Sequence, residues 1–290
     1  MSNDRRSAAP AAAAARAQAV ATPPRSPLYD AYLKRLRRRR VMVVATQFGV
    51  LLAFFGLWEL APRMHWVNPM LTSYPSQLAT TFMQMLVTPT VAGNLLDHTR
   101  ITVIETVIGF SASMLIGLLV AIGLWWSDFA YRVADPFLVV LNALPKIALV
   151  PIFYIWLGPQ MSIYAMAIAI AVFVTILMLY SGFTEIDPDK IKLVRSFGAS
   201  KAQVLRKVVL PGSVPTMIAA LKINVGLALV GVIVGEFQSA KAGLGYLIMY
   251  GSQIFQMGIV MSGILVLALI STVMYLAIAW LETVVLRHRR

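Results

Sequence analysis

The stretch DPDKIKLVRSFGASKAQVLRKVVLPGSVP, residues 187–215, decides how the rest of the chain is read. It is the one long polar segment after Arg40, and very apolar runs flank it on both sides. Six bases (Lys190, Lys192, Arg195, Lys201, Arg206, Lys207) stand in it against two acids, Asp187 and Asp189. Its punctuation predicts two short helices. Asp187 is a good N-cap, and Pro188 fits a first helical position, where no N–H is needed. Gly198 can take the left-handed conformation that ends a first helix. Ser200, with Gln203 three places on, predicts a capping box that opens a second. Leu210-Pro211 predicts its stop, because proline disfavours helix at the residue before it. A basic helical hairpin inside a hydrophobic protein calls for an explanation.

Composition supplies the setting. The chain of 290 residues is 59% hydrophobic and 13% charged, with a mean hydropathy of +0.77. A soluble domain carries about a quarter charged residues. Several apolar runs reach the roughly 20 residues that a helix needs to cross a hydrocarbon core of about 30 Å. The expectation is an all-α, polytopic membrane protein. The formal charge of +13 would suggest nucleic acid in a soluble chain, so topology has to be tested first. The absence of cysteine excludes disulfides, thiolate metal sites and cysteine nucleophiles. The three histidines (His65, His98, His288) are far apart in sequence, which argues against a metal site.

Six spans follow from the apolar runs. Residues 1–40 are rich in Ala, Pro and Arg and are expected to be a disordered basic N-terminus. Their block 34–40 would hold that end in the cytoplasm and lie on anionic lipid headgroups. The first span covers 41–61. An outer loop over 62–99 contains an amphipathic stretch at 76–87, read as an interfacial helix from the spacing of Leu78, Phe82, Met85 and Leu86. A five-helix core over 100–286 has spans near 100–125, 137–157, 162–183, 216–237 and 258–281. Gly158-Pro159 makes the turn between the third and fourth spans, and the two-helix loop lies within 184–215. A basic tail, 287–290, ends the chain. With both ends on one side, that side collects twenty Lys and Arg, and the other has Arg63, Arg100 and Lys241. Such asymmetry is the positive-inside pattern. The net charge is thereby explained without nucleic acid, and the loop faces the cytoplasm.

Few residues point to chemistry. There is no Gly-Lys pair for a Walker A loop, and no G-x-S-x-G or H-E-x-x-H. No catalytic residue is assigned. Glu59, Glu105 and Glu236 fall near outer span ends, where each can be paired locally or can line a solute path. Lys146 and Lys222 fall near the inner surface and read as snorkelling cations. Gly231 and Gly235 form a GxxxG pair, which serves either packing within one bundle or contact between two copies. Thr106, Asn142, Asn224 and Glu236 are the candidate contacts for a solute.

At Gly198 the chain resembles a known family. Gly198, nine residues, then Val208-Val209-Leu210-Pro211 is similar to the cytoplasmic EAA signature of bacterial ABC importer permeases. LNALPKIALVPIFYIWLG at 141–158 and GEFQSAKAGLGYLI at 235–248 resemble the nitrate/sulfonate/taurine branch of that family. Where the family has Glu-Ala-Ala, this chain has Lys192-Leu193-Val194. The resemblance implies two permease copies forming a pore in the bacterial inner membrane and a periplasmic binding protein delivering solute. It also implies cytoplasmic ATPase subunits, each receiving one coupling helix from the loop. Lys192, Arg195, Gly198, Ala199, Ser200, Leu210 and Pro211 would then be coupling residues. ATP would be hydrolysed by the partner, and this chain would bind no cofactor. The implied cargo is a small anion of the sulfonate, taurine or nitrate type. A thiamine precursor, a riboflavin-like heterocycle or an aromatic carboxylate is the alternative. A self-contained channel or secondary transporter is the competing class.

Overall fold

In the computed structural model, residues 27–287 are described, apart from 69–70 and 89–92. The expectations for 1–26 and for the tail beyond Arg287 lie outside the described residues. The chain divides into two compact units, Met1–Leu60 and Ala61–Arg290.

The first unit is built on helix α1, Pro27–Arg63. Between Leu28 and Phe48 there is neither Gly nor Pro, so nothing stops the helix from running back out of the apolar segment. Residues 27–40 are accordingly helical, where composition alone predicts disorder. At 1.5 Å per residue, α1 is about 55 Å long, well beyond what a hydrocarbon core requires.

The second unit contains α2 (Pro75–Val87), α3 (Leu95–Trp126), α4 (Asp128–Ala143), a 3-10 turn (Lys146–Leu149) and α5 (Val150–Thr184). The loop helices are α6 (Pro188–Ser196), α7 (Lys201–Val204) and α8 (Leu210–Gly212). Then come α9 (Val214–Ser239), α10 (Leu244–Gln253) and α11 (Met257–Arg287). Small residues let α3, α5 and α9 meet closely. A Cβ on Gly109 would stand 2.5 Å from the Ala167 Cβ, and one on Gly231 would stand 2.5 Å from the Ala167 Cα. One on Gly235 would reach 2.8 Å from the Ile163 Cα. The GxxxG pair therefore serves packing within the bundle. The amphipathic helix α2 turns Met85 and Phe82 onto a cluster with Leu95, Leu244, Leu247 and Ile259.

The expected third span, 137–157, is not one helix. α4 ends at Ala143, with Leu144 as its cap, because Pro145 follows, and the chain passes through the 3-10 turn before α5 begins at Val150 with Pro151 near its start. Five helical runs among the described residues are long and apolar enough to cross a membrane, and one of them is Lys146–Thr184. That run is not straight. At Gly158 (φ 79°, ψ 173°) the chain leaves the helical region, a backbone conformation open to glycine. A straight helix would hold Lys146 and Phe173 about 40 Å apart. Instead the Lys146 Nζ lies 5.7 Å from the Phe173 ring centroid. Tyr131 stacks on Tyr180 at 4.0 Å, and Leu138 clusters with Val172 and Ile176. Residues 128–157 thus run back along the arm 159–184, as two short helices and a break.

Candidate functional site

The loop forms the local structures its residues encode. Asp187 Oδ1 accepts the N–H of Asp189 at 2.9 Å and opens α6. Gly198 has φ +81°. The Ser200 N–H donates to Gln203 Oε1 at 2.8 Å, and the Gln203 N–H donates to Ser200 Oγ at 3.4 Å, so both halves of the capping box are made. The predicted stop at Leu210-Pro211 is replaced by something else. After α7 the helix widens into a π-turn over Leu205–Val209, and the Leu210 N–H reaches back to the Leu205 carbonyl. The wide turn takes up the disturbance that a ring without an N–H introduces, and the helix continues to Gly212. The break comes at Ser213 (φ −87°, ψ 1°), before α9.

The loop has a buried underside. Val204 and Val209 are fully buried with Ala121, Leu179, Phe183 and Ala220. Ile191, Val194, Ala199, Leu205 and Leu210 pack around them. Lys201 pins the loop to the end of α3. Its Nζ donates to the Trp126 carbonyl at 2.6 Å and lies 5.6 and 5.7 Å from the Trp125 and Trp126 ring centroids. A cation on the last carbonyls of a helix is favoured by the helix dipole. The upper side is open. Phe197 is 82% exposed and Leu193 58% exposed, an unusual expense for two large apolar side chains. Exposed Lys190, Lys192 and Arg195 surround them, Lys192 bonding Asp189 at 3.0 Å. Gly198 and Ser200 are exposed, and Ala199, Leu210 and Pro211 are half-buried.

At the opposite end of the bundle a second polar cluster is enclosed. Glu236 is fully buried. Thr102 Oγ1 donates to Glu236 Oε1 at 2.7 Å and accepts the Leu244 N–H at 2.8 Å. Glu236 Oε2 accepts the Gly245 N–H. His98 Nδ1 accepts the Gly243 N–H at 2.9 Å, and the His98 ring stacks on Tyr246. The segment before α10 is therefore wrapped around one carboxyl group. Gly243 has φ +107°, and a Cβ there would lie 2.4 Å from the Glu236 carboxyl carbon. Glu105 is also buried, and its Oε2 has no hydrogen-bond partner.

The four solute candidates do not form one site. Thr106 lies one turn from Thr102, its Oγ1 donating to the Thr102 carbonyl at 2.7 Å, so it borders the Glu236 cluster. Asn224 is buried mid-bundle, with Nδ2 donating to Thr175 Oγ1 and standing 3.1 Å from the Met114 sulfur. Asn142 stands apart at the end of α4, where its carbonyl accepts from Lys146 Nζ at 2.7 Å. Lys222 is paired with Glu282 rather than merely snorkelling. Thr102 and His98 were not singled out by sequence reasoning. Their spacing from each other, one helical turn, is the signal that puts them on one face of α3.

Comparison with known proteins gives a consistent result. Residues 113–287 match the family model described as "Binding-protein-dependent transport system inner membrane component". The chain is 30% identical over 238 residues to a probable ABC transporter permease protein of Haemophilus influenzae, covering 80% of this chain and 92% of that protein. It is 25% identical to the taurine transport system permease protein TauC of Escherichia coli, over 82% of this chain and 88% of TauC. It is 28% identical to the formylaminopyrimidine transport permease protein ThiX of Halalkalibacterium halodurans, over 81% and 92%. In fold it resembles a chain of the inward-facing MetNI methionine ABC transporter, with a TM-score of 0.53 at 16% identity, over 74% of this chain and 97% of that one. The chain belongs to the binding-protein-dependent inner membrane components, the permease subunits of ABC importers.

Proposed function

We propose that this permease forms the path for a small organic anion and is driven by a separate cytoplasmic ATPase docked on residues 187–215. The observation that carries the reading is the two-sided loop. Its underside is anchored to α3, α5 and α9 by Val204, Val209 and Lys201, while Phe197 and Leu193 stand exposed on the other side. A rigid lever with an exposed apolar tip suits a partner that pushes on it. Six bases on the loop and six in 34–40 belong on the cytoplasmic side by the positive-inside pattern, with both termini there. A second copy of the chain completes the pore, a periplasmic binding protein delivers the solute, and ATP is bound and hydrolysed by the partner. The sulfonate and taurine relatives favour an anion, and a heterocyclic cargo such as formylaminopyrimidine is the second reading, supported by ThiX.

Uptake of taurine, butanesulfonate and formylaminopyrimidine into proteoliposomes tests this, with permease, ATPase and binding protein present. Uptake of a sulfonate only with ATP and ATPase supports the proposal. Uptake without the ATPase would place the chain among self-contained transporters.

A further inference from the structure

Lys146 stands where a lone cation is costly. Its ammonium lies against Phe173, roughly 22 Å along the arm 159–184 from the reversal at Gly158 and about 17 Å from the end at Thr184. That is midway along the arm and not at either end, with the residue half-buried there, so snorkelling to a helix end does not account for it. Its protein contacts are the Asn142 carbonyl at 2.7 Å and the face of the Phe173 ring. Among the described residues no carboxylate pairs with it. The Asn142 carbonyl is one of those that the break at Pro145 strips of a helical donor, and Lys146 folds back to cap it. An ammonium has three protons to donate, so this single acceptor leaves it able to take another.

Beside Lys146 is a cavity of about 380 Å³. Its other walls are apolar, with Leu141, Leu144 and Leu149 on the broken crossing and Val172 and Phe173 on the arm 159–184. Interrupted backbone at membrane depth is tolerated only where protein covers it or it lines a cavity. An apolar cavity of this size with one polar group is the usual form of a small-molecule site, and an ionisable residue inside a membrane bundle marks a solute path.

We infer that this cavity is an anion site. A sulfonate or carboxylate head pairs with Lys146 Nζ, and a short apolar body fills the space between α4, the 3-10 turn and the arm 159–184. The inference rests on the proposed anion path and names a station on it. The same chemistry, an anionic head on an apolar body, is offered by a phospholipid, although headgroups lie about 15 Å from the middle of a hydrocarbon core.

The chain has no cysteine, so Ala169→Cys places a sole thiol in the cavity wall. In the full complex with its ATPase, in phosphatidylcholine liposomes, the rates of modification by an anionic sulfonatoethyl and a cationic trimethylammonioethyl methanethiosulfonate are measured. Their ratio is compared with that of a thiol at exposed Ser252, outside the loop. The expected ratio at 169 favours the anionic reagent by about tenfold over the reference. It falls to the reference in both Lys146→Gln and Lys146→Met and is kept in Lys146→Arg. Butanesulfonate is expected to slow modification of the Lys146 chain alone. Equal ratios with and without Lys146, or no modification by either reagent, would overturn the inference. Protection by added phosphatidylglycerol in place of butanesulfonate would assign the cavity to lipid and overturn the solute site. Failure of the ATPase to assemble overturns the proposed function instead and leaves the charge ratio readable.

Discussion

Thr102 serves two partners through one oxygen, donating to Glu236 and accepting from Leu244. Thr102→Val keeps the shape and leaves a buried carboxyl oxygen and a buried N–H each short of a bond. The expected loss is about 2 kcal/mol or more, seen as a lower apparent Tm in detergent, with Thr102→Ser retaining most of the stability. Gly198 poses a different problem. A Cβ there meets nothing within 4 Å, so the obstacle to substitution is its φ of +81° and not space. Gly198→Ala should cost about 1 kcal/mol, and Gly198→Asn less, because Asn tolerates the left-handed region. Equal losses in thermal unfolding of the two variants would show that conformation is not what the position requires. The left-handed turn at 198 was legible in the sequence because turn and cap signals act within a few residues. The Thr102–Glu236 bond joins residues 134 apart, and no local signal encodes it.

Among the elements, the broken third crossing separates what periodicity can and cannot tell. Hydropathy over 137–157 reads as one apolar span, and Pro145 is a local reason to doubt continuity. Gly158 turns the stretch back against 159–184, a pairing set by Tyr131 on Tyr180 and Leu138 on Val172 and Ile176. The π-turn at Leu205–Val209 is similar. Proline announces a disturbance, but burial of Val204 and Val209 against α3 and α5 decides that the helix bends its hydrogen bonding instead of ending. In α9 the two ends of the range of glycine roles can be compared. A Cβ on Gly231 would overlap the Ala167 backbone, while one on Gly226 meets nothing within 4 Å. Gly231→Leu is expected to cost about 3 kcal/mol or more through overpacking and to lower the folded yield in the membrane. Gly226→Ala should leave that yield unchanged. Similar yields from the two would mean that α9 does not seat against α5 at Ala167.

On the scale of the whole molecule, α3 is tied at both ends. Lys201 holds its last carbonyls to the loop, and Thr102 and His98 hold its other end to the segment before α10. The overall class was legible from composition and charge, since 59% hydrophobic residues and the clustering of bases require a multi-span helical protein. The ties were not, because they join residues distant in sequence. The exposed tip of the loop, Phe197 with Leu193, is the proposed docking point of the ATPase. It is tested by co-purifying the ATPase subunit in nanodiscs with the native permease and with Phe197→Asp, whose side chain is exposed and supports no packing within the bundle. The variant is expected to fold with an unchanged Tm and to lose the ATPase by about tenfold or more, as removal of a buried aromatic anchor from an interface does. Retention of the ATPase at the native level by a folded Phe197→Asp permease would contradict it.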